Sequence, residues 1–334
     1  MKSFIPSLFH SFILIAALMA GAGAAWADNP SGTCGAKLTW EYYPNYSILF
    51  IQGTGAMDDF DSSSEVPWKD YRGGIIAVSL MEGITNIGDN AFIDCDHMMD
   101  IVNLPTSVST IGYAAFQNCG TSSIVINSNI KTIRERAFSG CRAITSFDIP
   151  AEITTIEDYV FQECSSLKSV TFDANSQLTG IGNYAFERCI SLPSIAIPSG
   201  VTTIGKSAFE YCTSLESIDI PASVDSIGPD AFYSCTGLTD MTVHWTATPP
   251  VPANANAFRY VTLANVNLHV PYGTYDLYAG ISPWCNFNIL DGATGIEQPT
   301  SDSALKGSEK ILHEGVLYIQ RGEQRYDAQG ARVR

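Results

Sequence analysis

The string Ile-Gly-x-x-Ala-Phe-x-x-Cys starts at Ile87, Ile111, Ile181, Ile204 and Ile227, with looser copies at Ile133 and Ile156. Its phenylalanines are Phe92, Phe116, Phe138, Phe161, Phe186, Phe209 and Phe232, spaced by 24, 22, 23, 25, 23 and 23 residues. A degenerate eighth copy, Ala255-Asn256-Ala257-Phe258, lacks the cysteine. A fixed period in this range means units that cannot bury an apolar face alone and must stack.

Each unit reads as one coil. In the copy from Leu215 to Cys235, Leu215, Ile218 and Ile220 alternate as in a short strand, and Pro221 ends it because proline cannot donate to a ladder. Val224 and Ile227 point back inward, Gly228 is expected to permit a turn, Ala231 and Phe232 pack beneath, and Cys235 closes the coil. Stacked coils pair their strands in parallel along one face. The expected core is the ladder of repeat Phe and Ile side chains, each contributing roughly 1.5–3 kcal/mol on burial.

The full pattern Leu-x-x-Ile-x-Ile-Pro-x-x-Val-x-x-Ile-Gly-x-x-Ala-Phe-x-x-Cys resembles the BspA-like leucine-rich repeats of bacterial surface proteins. The resemblance implies a right-handed repeat solenoid, β-rich, with parallel strands on one face and irregular or short helical turns on the other. It also implies a cell-surface, adhesin-like role. Cys34 to Trp40, Gly53 to Met57 and Pro67-Trp68 are similar to the N-terminal cap of such proteins, and Leu268 to Gly273 with Trp284 and Phe287 to the closing cap. Caps are physically required, since end coils would otherwise expose core and strand edges.

The expected organisation is a signal peptide at 1–27, an N-terminal cap at 28–82, the solenoid at 83–258, a C-terminal cap at 259–290, a linker at 291–308 and a tail at 309–334. Lys2, the apolar run from Phe12 to Ala25 and the Ala25-Trp26-Ala27 site carry the export reading. The run is short for a spanning helix, which needs about 20 apolar residues. The tail changes sign: residues 306–334 hold six basic and four acidic residues, against 11 basic and 30 acidic in 28–305. Gly315 to Ile319 and Tyr326 to Gly330 resemble C-terminal secretion and sorting segments of Bacteroidetes proteins; the alternative is a packed terminal hairpin.

Without Lys2 the chain carries 17 basic against 34 acidic residues. That disfavours nucleic acid and anionic lipid, which need clustered Lys and Arg. Cys95, Cys119, Cys141, Cys164, Cys189, Cys212 and Cys235 hold one equivalent position per coil, so they are expected as buried free thiols acting as small hydrophobes rather than disulfides. Cys34 and Cys285 fall in opposite caps. No metal, cofactor or catalytic residues are expected: spacings above twenty residues make no zinc tetrahedron, and His97, His244, His269 and His313 are scattered.

The remaining candidates are surface residues. Ser146, Asp148, Ser169, Thr171, Ser194, Ala196, Ser217, Asp219, Asp240 and Thr242 point outward on the strand face by register. Tyr113, Tyr159 and Tyr184 precede their Phe by two or three positions, and Tyr211 and Tyr233 lie near the cysteines. Such tyrosines suit protein or glycan contact, or pack over neighbouring coils. The expected partner is an extracellular protein, with a glycan as the alternative.

Overall fold

The computed structural model describes residues 29–247, 249 and 256–292, together with the backbone of four strands between Ser308 and Val333. The expected signal peptide at 1–27, Ala255 of the eighth copy and the heart of the expected linker lie outside the described residues.

The chain divides into two units, Met1–Ala293 and Thr294–Arg334. The first is a parallel-strand solenoid of about eight turns. It opens with an antiparallel meander, β1 (Ser31–Gly35), β2 (Leu38–Tyr43) and β3 (Ile48–Gly53). β3 then pairs in parallel with Ala77–Leu80, which pairs with Asp100–Asn103, so the meander hands over directly to the coil stack.

Further along the same face lie Ser146–Ile149 beside Ser169–Phe172, then Ser194–Ala196, Ser217–Ile220, Asp240–Val243, Asn267–Val270 and Asn288–Asp291 in order. Burial alternates along them up to Asn267–Val270: Ser217 and Asp219 are exposed while Ile218 and Ile220 are buried. That is the period-2 pattern of a half-buried strand. Two-residue strands such as Thr203–Ile204 and Ser226–Ile227 form a second parallel ladder where each coil turns, and each Ile enters the core.

The Ala-Phe segment forms the third side, which has no regular secondary structure yet is tied to the next coil by a ladder of backbone hydrogen bonds. Asn90, Phe92 and Asp94 donate their N–H groups to the carbonyls of Tyr113, Ala115 and Gln117 in the next coil, while Ala91, Ile93 and Cys95 donate to carbonyls three residues back in their own. This alternation needs a left-handed residue on either side of each Ala-Phe pair. The pairs include Asn90 and Asp94, Tyr159 and Glu163, and Tyr184 and Arg188, all with φ between 56° and 60°.

The repeat glycine has a different role from the one expected. At Gly228 φ is not left-handed; a Cβ there would lie 2.5 Å from the backbone carbonyl carbon of Gly205 in the preceding coil. It is small because stacked backbones approach closely, not because the chain reverses there.

The seven repeat phenylalanines are completely buried. Their rings stack at 5.3–5.8 Å between centroids from Phe92 to Phe232. Both ends of the stack are closed by aromatics. Trp68 stacks on Phe92 at 5.7 Å and donates Nε1–H to the Ala91 carbonyl. Phe258 stacks on Phe232 at 5.2 Å and meets Trp284 and Phe287 edge-on. A short helix, Tyr275–Ala279, covers this end, and its Tyr278 hydroxyl donates to the Trp245 carbonyl.

In the second unit Ser308–His313, Val316–Arg321, Gln324–Tyr326 and Arg332–Val333 form a four-stranded antiparallel sheet in sequence order. The strand expected at Val316–Ile319 is there, two residues longer.

Candidate functional site: the strand face

The outward side chains of the strand face fall into two rows set by register. One row runs Ser146 and Ser169, then Ser194, Ser217, Asp240, Asn267 and Asn288. The other runs Asp148 and Thr171, then Ala196, Asp219, Thr242, His269 and Leu290. Ser146, Asp148, Ser169, Thr171, Ser217 and Asp219 are all exposed. The seven strands from Ser146 to Asp291 hold four aspartates and no Lys or Arg.

The rows are laced by side-chain hydrogen bonds. Thr171 Oγ1 donates to Asp148. Asn267 Nδ2 donates to Asp240 Oδ1 at 3.1 Å, and Asn288 Nδ2 to Asn267 Oδ1 at 2.8 Å. These donors, first Asn267 and then His269, hold the Asp240 carboxyl below the usual range. His269 Nε2 lies 3.2 Å from Asp240, and His244 Nε2 lies 2.7 Å from Asp219. Along the sequence these two histidines are scattered; the 25-residue and 29-residue separations hide contacts that stacking creates.

The tyrosine candidates lie on the turn side. Tyr113 is exposed, while Tyr159 and Tyr184 are half-buried, stacked at 4.8 Å with an interplanar angle of 6°. Arg136 caps Tyr159 at 4.0 Å and Lys206 lies over Tyr184 at 5.4 Å. Tyr211, Tyr233 and Tyr260 form a second column with Arg188 over Tyr211. The structure therefore brings Tyr159 and Tyr184 together with their flanking cations, apart from the serines and aspartates of the strand face, and leaves Tyr113 outside the stacked pair.

All nine cysteines are free, and all but Cys285 are buried. They are more than small hydrophobes. Each thiol from Cys119 to Cys235 donates to the carbonyl of the Phe in the preceding coil, at 2.9–3.2 Å. Burial pushes the Cys95, Cys141 and Cys235 thiols up to about 12 and the others well above the ordinary range, so none is a thiolate nucleophile at neutral pH. Among the described residues, no three His, Cys, Asp or Glu side chains converge as metal ligands. No helix among them is long and apolar enough to cross a membrane.

Among curated proteins, none matches the chain. A leucine-rich repeat protein from Eubacterium ventriosum is 21% identical, with a TM-score of 0.45 over 73% of this chain and 79% of that one. A leucine rich cell surface protein from Faecalibacterium prausnitzii is 18% identical, with a TM-score of 0.39 over 81% and 97%. A leucine-rich repeat protein of T. pallidum is 20% identical, with a TM-score of 0.40 over 79% and 100%. The BspA type leucine rich repeat region, in six copies, matches residues 71–179 and 171–277. With one repeat model covering more than half its length, the chain belongs to the BspA-type leucine-rich-repeat family.

Proposed function

We propose that this chain is an exported, non-enzymatic binding protein that engages an extracellular protein, in the manner of an adhesin, through the strand face of its solenoid. The observation that carries this is the contrast between the two candidate surfaces. On the turn side Tyr159 and Tyr184 satisfy each other and are capped by Arg136 and Lys206. On the strand face a regular array of exposed serines, threonines and aspartates has no Lys or Arg from its own strands. A stiff stack of coils presents such an array at fixed spacing, so a ligand meets it with little ordering cost. The apolar run from Phe12 to Ala25 with the Ala25-Trp26-Ala27 site supports export, and the net-basic segment 306–334 supports a sorting role that places the protein at the cell surface.

Surface plasmon resonance against immobilised extracellular proteins, run beside a glycan array, tests this. The expected result is a protein ligand whose binding is lost in Asp148→Arg and Asp219→Arg variants and kept in Tyr159→Ala. Binding lost only in the tyrosine variant would move the site to the turn face. Binding to one glycan class with no protein ligand would make the chain a carbohydrate-binding accessory protein instead.

A further inference from the structure

The N-terminal meander shares a sheet with the first coil strands, and in it Phe50 sits in register with the buried Ser79 on one side and with Glu41 on the other. There the surface deepens into a groove of about 470 Å³ lined by Ser31, Thr33, Thr39, Glu41, Phe50 and Gln52. That volume is within the usual range for a specific ligand site, about 300–1,000 Å³. Among its lining residues, Glu41 is the one charged side chain.

Glu41 is unusually well fixed. Its Oε1 accepts from Asn29 Nδ2 at 2.8 Å and its Oε2 accepts from the Tyr43 hydroxyl at 2.8 Å. Burial, and then this bond to Glu41, pushes the Tyr43 hydroxyl up to about 12, so the donor keeps its proton. Both donors are neutral, and the carboxylate forms no ion pair among the described residues. Each of its oxygens still has acceptor capacity, since a carboxylate offers about four lone-pair sites. Directly across the strand pair is the half-buried Phe50 ring, which has no cation over it among the described residues. Cross-strand partners place their Cβ atoms about 4.5–5.5 Å apart.

We propose that this groove is a subsite for an arginine side chain of the protein partner, the guanidinium lying on Phe50 and pairing with Glu41. The inference rests on the strand-face reading and adds to it the chemistry of the partner: a basic, extended segment. A guanidinium matches this pair because it stacks on an aromatic face within about 6 Å and forms a planar fork onto a carboxylate. The protein itself uses the same combination elsewhere: Arg136 lies 4.0 Å from the Tyr159 ring centre while its Nε pairs with Glu135 at 3.2 Å. A basic segment also suits the chain's acidity: the strand face carries Asp148, Asp219 and Asp240, and the net charge is -16.

The probe is a hexapeptide of alternating serine and arginine, titrated calorimetrically into the full exported chain at low salt. Matching peptides carry citrulline or lysine, and maltohexaose serves as a neutral oligosaccharide. The arginine peptide should bind at least tenfold more tightly than the citrulline peptide and more tightly than the lysine peptide. Glu41→Gln should weaken it at least fivefold, Phe50→Ala likewise, and Phe50→Tyr should restore it. Equal affinity in wild type, Glu41→Gln and Phe50→Ala overturns the subsite. If Asp219→Asn and Asp240→Asn alone abolish peptide binding, the strand face stands as the binding surface and this subsite falls. No response to either set of variants, or no binding of the arginine peptide, removes the basic partner altogether. Maltohexaose shifting the amide resonances of Glu41 and Phe50 while the arginine peptide is silent makes the groove a sugar site.

Discussion

The thiol of Cys141 donates to the carbonyl oxygen of Phe116, one coil earlier, at 2.9 Å, and that same carbonyl accepts the backbone N–H of Cys119 at 3.1 Å. Each cysteine thereby locks the turn beneath it, and each is shielded by the coils on either side. Reactivity follows from this geometry. A thiol reagent should label one site in the native protein, Cys285, and nine after denaturation without reductant. Rapid native labelling of several sites would show that the ladder opens; fewer than nine in the denatured chain would reveal disulfides.

The same burial makes the fold sensitive to base. An unfolded thiol ionises near about 8.5, whereas the ladder thiols stay protonated to about 12 or beyond. Their folded values are raised, so their contribution is complete below the unfolded value and is lost as pH rises toward the folded one. Between these limits each buried thiol removes about 1.4 kcal/mol of stability per pH unit. The melting temperature should fall steeply from pH 8 to pH 10, and the fall should be shallower in a Cys164→Ala, Cys189→Ala double variant. A flat profile over that interval would contradict the ladder.

Phe161 contacts rings on three sides: Phe138 at 5.8 Å, Phe186 at 5.4 Å and Phe147 at 4.7 Å. Phe161→Ala should cost about 3–5 kcal/mol, the usual range for truncating a buried aromatic. Because each coil touches mainly its neighbours, hydrogen exchange should accelerate first in the coils carrying Phe138 and Phe186. An unchanged melting temperature would rule out a central role for the stack.

The repeat made the core legible. Once Phe92 through Phe232 are aligned, inward and outward positions follow, and Ser217 and Asp219 are exposed where register puts them. What the pattern could not show is chemistry between coils. His244 and Asp219 are ordinary residues 25 positions apart until stacking brings them to 2.7 Å. The left-handed positions were equally hidden, because Tyr159 and Tyr184 occupy them with φ of 60° and 56° where glycine is the usual occupant. Packing on both sides over-determines those residues, and local propensity yields. The groove at Glu41 and Phe50 belongs to the meander, which has no repeat to align.

The glycine finding separates two kinds of glycine experimentally. A Cβ on Gly205 would stand 2.6 Å from the Gly182 carbonyl carbon, so Gly205→Ala must push adjacent coils apart and should cost about 1–3 kcal/mol, as overpacking does. At Gly280 the nearest atom is 3.6 Å away and φ is −93°. Gly280→Ala should therefore be neutral or stabilising by up to about 1 kcal/mol through the unfolded state. Chemical denaturation of both variants distinguishes a spacing role from a turn role; equal effects would undo the distinction.

A second intercoil ladder runs beside these glycines and ends at a proline. Asp158 Oδ1 accepts the Asn183 N–H at 2.7 Å, and Asn183 Oδ1 accepts the Lys206 N–H at 2.9 Å. The next rung is Pro229, which has no N–H to give, and Lys206 below it has no acceptor to offer. Asn183→Ala should cost about 1 kcal/mol by leaving the Lys206 N–H without this partner. Lys206→Asn alone gains no rung. Combined with Pro229→Ser it supplies both halves of one, so a double-mutant cycle on denaturant midpoints should return a favourable coupling of about 0.5–1 kcal/mol. Strict additivity would mean that the side-chain acceptors at Asp158 and Asn183 follow the stacking of coils without contributing to it.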